Sequence, residues 1–259
     1  MKVVLLAGGL GTRISEESVL KPKPMIEIGD KPILWHIMKI FSYYGFNDFI
    51  ICCGYKGYLI KEYFYHYMLH NSSVKISLHN NSFEIIDPHN EDWRVTLVDT
   101  GIDSMTGGRL KKIHKFLEKD ENFFMTYGDG VADININNLL KFHKKMSKIA
   151  TITAVQPPGR FGALEIEDDL VISFQEKPLG DGGWINGGFF VLNESVINLI
   201  DSDNTIWEQE PLKQLAKNKN LAVFKHSGFW QPMDTLRDKN YLEKLWEQRS
   251  PPWRIWDRD

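Results

Sequence analysis

Apolar positions along this chain change period several times, and each change marks an element. Residues 3–6 form a short continuous apolar run that leads straight into a glycine cluster, the mark of a buried strand. Ile33, Leu34, Ile37, Met38, Ile40 and Phe41 then recur at helical spacing, with Pro32 suited to the first turn and Gly45 to the stop. Residues 47–54 predict a second buried strand and 58–67 a second helix. This strand, helix, strand, helix opening predicts an α/β fold with a mostly parallel sheet, whose ligands gather at the carboxyl ends of the strands. Further strands are predicted at 95–99, 123–127, 150–155 and 221–225, and helices at 106–117, 134–146, 195–200, 206–216 and 235–247. Residues 74–78 and 83–86 alternate within a polar stretch and predict a small hairpin added to the sheet edge. Residues 161–166 and 171–175 predict a second hairpin.

Composition narrows the function classes. With 259 residues and 42% hydrophobic content the chain can bury a proper core, and one large α/β domain over 1–259 is expected. A net charge of −3 gives neither a basic footprint for nucleic acid nor a polybasic anchor for a membrane, so any anion must be bound locally. Cys52 and Cys53 are adjacent in an apolar run, a poor geometry for a bridge, and read as buried thiols. His66 and His70 are four apart but lack the H-E-x-x-H pattern of a metal site. The start of the chain has no basic segment followed by a long apolar stretch, and no apolar run approaches about 18 residues, so a cytoplasmic location is expected.

Candidate chemistry starts where the first strand ends. In Leu6-Ala7-Gly8-Gly9-Leu10-Gly11-Thr12-Arg13 the glycines let the backbone approach a ligand and turn its N–H groups inward, the concave nest that binds an anion. Arg13 adds a planar fork, and Lys23, in Lys21-Pro22-Lys23-Pro24, adds a point charge. Two fixed cations beside such a nest point to a polyphosphate. The P-loop spelling is absent, and the dinucleotide fingerprint finds Ile14 where its third glycine belongs. Asp129, between Gly128 and Gly130 at a strand end, suits either a phosphate-bound metal or an ordinary turn. Arg109 in the first turn of a helix is unusual unless an anion or polar ring lies in front, although Gly107-Gly108 could serve only close packing. Glu176-Lys177-Pro178 places an acid and a base at a strand end, where a surface ion pair is the plain alternative. The small residues of Asn186-Gly187-Gly188 would let a sugar ring lie on the backbone. Asp234, after an aromatic run, reads as a ligand or as the cap of the last helix.

L-A-G-G-x-G-T-R followed by K-P-x-P resembles the signature of the sugar-nucleotide pyrophosphorylases, nucleotidylyltransferases that join an NTP to a sugar 1-phosphate. Tyr127-Gly128-Asp129-Gly130, Phe174-Gln175-Glu176-Lys177-Pro178, Ile185-Asn186-Gly187-Gly188-Phe189-Phe190 and Trp230-Gln231-Pro232-Met233-Asp234-Thr235 extend the resemblance to about residue 250. Stretches 98–100, 104–109 and 157–162 look closest to the branch that uses CTP and glucose 1-phosphate. The resemblance implies a Rossmann-like mixed sheet of the nucleotide-diphospho-sugar transferase type, with a nucleotide-binding half (1–150), a sugar-binding half (151–235) and a C-terminal helix and tail (235–259). It implies that Leu6, Ala7, Gly8, Gly9, Leu10, Gly11, Thr12, Arg13 and Lys23, with Ser104, Arg109 and Gly128, hold the nucleotide. Gly162, Glu176, Lys177, Asn186 and Gly187 would hold the sugar phosphate, and Asp129 and Asp234 a Mg2+. Arg13, Lys23 and Asp129 would be catalytic, the assembly a homo-oligomer, and the product a precursor of deoxysugars for a surface polysaccharide. A glycosyltransferase is disfavoured because Asp129-Gly130-Val131 lacks the second acid of a D-x-D pair. A non-catalytic sensor could have lost any one of Arg13, Lys23, Asp129, Lys177 and Asp234, yet all are present. The wording departs from the family at Gly183-Trp184 and across 71–93.

Overall fold

The computed structural model describes residues 1–88, 91–118, 121–157, 163–175, 179 and 183–257, with the backbone alone at Arg13, Ser15, Glu16, Ala163 and Ile166. Strands β1 (Lys2–Leu6), β2 (Asp48–Cys53), β3 (Arg94–Asp99), β4 (Asn122–Tyr127), β5 (Ala150–Val155), β6 (Ile185–Asn193) and β7 (Leu221–His226) form one seven-stranded sheet. Their spatial order is β7-β5-β6-β4-β1-β2-β3. β6 runs antiparallel to β5 and β4, and every other pairing is parallel.

Because successive strand side chains point to opposite faces, apolar runs supply two cores at once. On one face Val3, Leu5, Phe49, Ile51, Phe124 and Phe189 meet α1 (Ile33–Tyr43), and the same cluster takes in the carboxyl-terminal residues Leu242 and Trp253. On the other face Val4, Leu6, Ile50, Phe123, Met125 and Phe190 meet Leu110 of α2 (Thr106–Lys112), Trp207, and Leu215 of α3 (Glu210–Lys217). Cys52 and Cys53 are buried free thiols on opposite faces, and burial pushes Cys53 up to about 11. Helix α1 ends as its glycine predicts. Gly45 takes φ +83°, its N–H donates to the Ser42 carbonyl at 2.8 Å, and the Phe46 N–H donates to that of Phe41 at 3.1 Å.

The sequence reading misses β6. Gly187 and Gly188 break its apolar run, yet a Cβ at Gly188 would lie 2.7 Å from the Tyr127 ring, and its φ is +80°, so only glycine lets these strands sit side by side. The hairpin Ser73–Ser77 with Ser82–Asp87 forms as expected but pairs only with itself, not with the sheet edge. Its residues, including Ile76, Phe83 and Ile86, stay largely exposed instead of packing on the sheet. The second hairpin pairs Ala163–Glu167 with Leu170–Gln175. The helix expected from 206 starts at Glu210, where Pro211 occupies the first turn. The ones expected over 106–117 and 195–200 become a helix ending at Lys112 followed by a 3-10 turn, and a 3-10 segment Glu194–Leu199. That expected over 58–67 breaks at His66.

The aromatic tail closes the first core. Trp253 is fully buried, stacks on Phe229 at 5.6 Å and donates its indole N–H to His36 Nδ1 at 3.4 Å. His36 Nε2–H in turn donates to the Ile28 carbonyl at 2.8 Å, and burial pushes that imidazole down to about 4, so it stays neutral. Trp253→Ala is expected to cost about 3–5 kcal/mol of stability in denaturant unfolding, and an unchanged midpoint would detach the tail from the core.

Candidate active site

The glycine loop leaves β1 between the ends of β2 and β4. The Ala7 N–H donates to the Cys52 carbonyl at 3.1 Å, and the Gly8 carbonyl accepts from the Tyr55 N–H at 3.1 Å. Arg109 secures this loop from below. It is 4% exposed, and its guanidinium donates to the carbonyls of Gly8 (2.9 Å) and Gly101 (2.8 Å) and to Thr100 Oγ1 (2.6 Å). A Cβ on Gly8 would collide with that guanidinium, which explains a glycine there. Burial lowers the proton affinity of Arg109, and its partners are carbonyl and hydroxyl oxygens. Ser104 donates to the Thr100 carbonyl at 2.5 Å and accepts from Lys112 Nζ at 2.8 Å, closing the same wall.

Lys23 enters from the 3-10 turn Lys23–Met25, whose prolines on either side fix its direction. Its ammonium lies 2.7 Å from Asp129 Oδ2 and 2.6 Å from Asp234 Oδ1. The lysine side chain is 7% exposed and the acids 28% and 26%, so the cluster is open on its carboxylate side. Two acids this far apart in sequence converge because Gly130–Ala132 pairs antiparallel with Trp230–Pro232, which sets their loops side by side. The Met233 N–H then donates to the Asp129 carbonyl at 2.8 Å, and the Gly128 N–H to that of Leu6 at 3.1 Å. Asp234 does not cap the last helix, α4 (Leu236–Glu247). Thr235 does so in a capping box with Asp238, whose carboxylate also accepts from the Asp234 N–H at 3.1 Å.

These groups face a cavity of about 580 Å³. Leu6, Ala7, Gly8, Gly9, Gly11 and Thr12 line it from the loop. Lys23, Ser104, Arg109, Gly128 and Asp129 line the middle, with Asn186, Gly187 and Asp234 completing the wall. Leu10 points away, 52% exposed. Arg13 sits in the turn Thr12–Ile14, and its side chain lies outside the described residues, as do Gly162, Glu176 and Lys177. Among the lining residues without a role in the sequence reading are Tyr127, Trp230 and Glu208. The Trp230 indole donates to the Gly187 carbonyl at 2.7 Å. Tyr127 and Trp230 fall inside motifs visible in the sequence, whereas Glu208 carries no local signal.

The donor set bears on metal choice. Among the described residues no three His, Cys, Asp or Glu side chains gather as a metal cage. Two carboxylates sharing one cationic position fit Mg2+, which keeps waters and takes one or two protein carboxylates together with phosphate oxygens. Among the described residues no helix is long and apolar enough to cross a membrane.

Known proteins resemble the chain over nearly its whole length. The chain is 63% identical over 257 residues to glucose-1-phosphate cytidylyltransferase of Salmonella typhi, covering 99% of this chain and all of that protein. It is 44% identical over 257 residues to the probable glucose-1-phosphate cytidylyltransferase of Bacillus subtilis, again covering 99% and 100%. The solved structure of HddC from Yersinia pseudotuberculosis superposes with a TM-score of 0.68 at 24% identity, over 95% of this chain and 99% of that one, a likeness of fold. The sequence pattern described as "Nucleotidyl transferase" matches residues 2–235, and the chain belongs to that family.

Proposed function

We propose that this chain transfers the cytidylyl group of CTP to α-D-glucose 1-phosphate, giving CDP-glucose and pyrophosphate, with Mg2+ as cofactor. The observation that carries the substrate pair is the 63% identity spread over 99% of the chain. A phosphate oxygen of the sugar 1-phosphate attacks the α-phosphorus in line, and the bond from that phosphorus to the bridging oxygen breaks as pyrophosphate leaves. The nucleophile is already ionised at neutral pH, so no general base is required.

The difficulty is electrostatic. Each pair of unit negative charges about 4 Å apart repels by about 4 kcal/mol at an effective dielectric of 20. Asp129 and Asp234 would hold the divalent cation, which when bound supplies charge neutralisation to the triphosphate. Lys23 meets the α-phosphate and the charge that develops there, while the loop N–H groups and Arg13 hold the β- and γ-phosphates. Arg109 keeps the loop in shape and, with Ser104, lies at the nucleotide end. Residues 151–235 supply the sugar side, where Lys177 pairs with the sugar phosphate, Glu176 and Asn186 bind hydroxyls, and Gly162 and Gly187 give the ring close backbone approach. The enzyme is cytoplasmic and a homo-oligomer, and its product is a deoxysugar precursor for a surface polysaccharide. The exposed Ile76, Leu78, Phe83 and Ile86 of the first hairpin support assembly with like chains.

Pyrophosphate release measured over the four NTPs with glucose 1-phosphate is expected to be fastest with CTP, and a preference for UTP or dTTP would overturn the base assignment. Asp129→Asn is expected to lower kcat about 10²-fold or more with an unchanged melting temperature, and normal turnover would remove Asp129 from the chemistry. In the protein without nucleotide, the Lys23 ammonium competes for the two carboxylates. Lys23→Gln should therefore bind Mn2+ about tenfold more tightly without CTP, a gain of about 1.4 kcal/mol, while turning over more slowly. Equal Mn2+ affinities by electron paramagnetic resonance titration would contradict the competition.

A further inference from the structure

The cavity holds one carboxylate that the phosphate and metal chemistry leaves unused. Glu208 lies in the turn before α3, half-buried on the cavity wall. Its partners among the described residues are two hydroxyls. Thr106 donates to Oε2 at 2.6 Å, and Tyr127 donates to Oε1. Thr106 is itself held by the Trp207 N–H, which donates to its oxygen at 2.9 Å, so its proton has to point at the acid. Burial, with the neighbouring carboxylate second, holds the Tyr127 phenol well above the usual tyrosine range, so it remains a donor. Each oxygen of Glu208 thus has one braced donor and lone pairs to spare.

A carboxylate in a space that must admit several phosphates has to face a neutral part of the ligand, because an adjacent phosphate would be repelled as strongly as the two substrates repel each other. The neutral parts that offer donors are sugar hydroxyls and a base amine. The link through Tyr127 to Asn186 favours the hydroxyls. The Asn186 amide donates to the Tyr127 phenol at 3.5 Å, and Asn186 also accepts from the Gly188 N–H at 2.8 Å, which ties Glu208 to the β6 end of the cavity. Thr106, the other brace, starts the helix that also carries Arg109 under the nucleotide loop, so Glu208 stands between that loop and the β6 end. Resting on the sugar-phosphate reading of that end, we propose that Glu208 determines sugar specificity: its carboxylate, braced by Tyr127 and Thr106, accepts a hydrogen bond from a hydroxyl of the hexose 1-phosphate beside Asn186.

The test crosses Glu208→Gln with the four glucose 1-phosphate analogues that lack the hydroxyl at C2, C3, C4 or C6. Glu208→Gln is expected to lower kcat/KM for glucose 1-phosphate by about tenfold to a hundredfold, the range for hydrogen bonds to charged groups, with CTP affinity changed less than twofold. For one analogue the variant and the wild type should become equal, because the contact is already gone; that hydroxyl is the one Glu208 reads. A loss that multiplies unchanged through all four analogues would make Glu208 a brace without a substrate contact and overturn the proposal. So would a variant whose CTP affinity falls while its sugar kinetics hold. Tyr127→Phe, which leaves the carboxylate in place but unbraced, should show a weaker coupling at the same hydroxyl, and it decides the matter if Glu208→Gln does not fold. A wild type that prefers another hexose 1-phosphate would refute the glucose assignment instead, and the same cycle on that sugar's deoxy analogues would still decide on Glu208.

Discussion

The ammonium of Lys23 between Asp129 and Asp234 is the constraint from which the rest of the site follows. One cation faces two carboxylates at 2.7 and 2.6 Å, so the cluster carries an excess negative charge on the cavity wall. That arrangement would repel a triphosphate arriving alone. It favours a triphosphate arriving with a divalent cation, which satisfies the acids and frees the ammonium for a phosphate. The same logic explains why the lysine is so deeply set. At 7% exposure its charge is weakly screened, while the acids stay open to solvent.

The architecture exists to bring these three residues together. β1 and β4 are neighbours in the sheet, so their carboxyl ends deliver the glycine loop and Asp129 to the same edge. The pairing of Gly130–Ala132 with Trp230–Pro232 then draws in a segment from the far end of the chain. Arg109 performs a related service for the loop, since its guanidinium gathers carbonyls from the ends of three strands. From the start of the Arg109 helix, Thr106, Glu208, Tyr127 and Asn186 form a continuous polar chain.

Much of this was legible in the residues because its causes are local. The period of the apolar positions gives α1 and six of the seven sheet strands, and glycine, proline and cation spacing gives the loop and Lys23. What escaped has non-local causes. β6 is hidden by two glycines that only the ring of Tyr127 explains. Glu208 looks like any acid at the start of a helix until Pro211 delays that helix and Tyr127 reaches it from another strand. Asp234 could be read as a cap because the sequence does not reveal that Thr235 and Asp238 already form one. For Arg109 the sequence signals only an uncomfortable charge, and the carbonyls that resolve it come from elsewhere in the chain.

A crystal structure with CTP and Mn2+, recorded at the manganese absorption edge, tests the central claim most directly. The account predicts an anomalous peak in contact with both Asp129 and Asp234, with the Lys23 ammonium moved from the acids onto a phosphate oxygen. A peak away from either acid, or Lys23 still bonded to both, would contradict it.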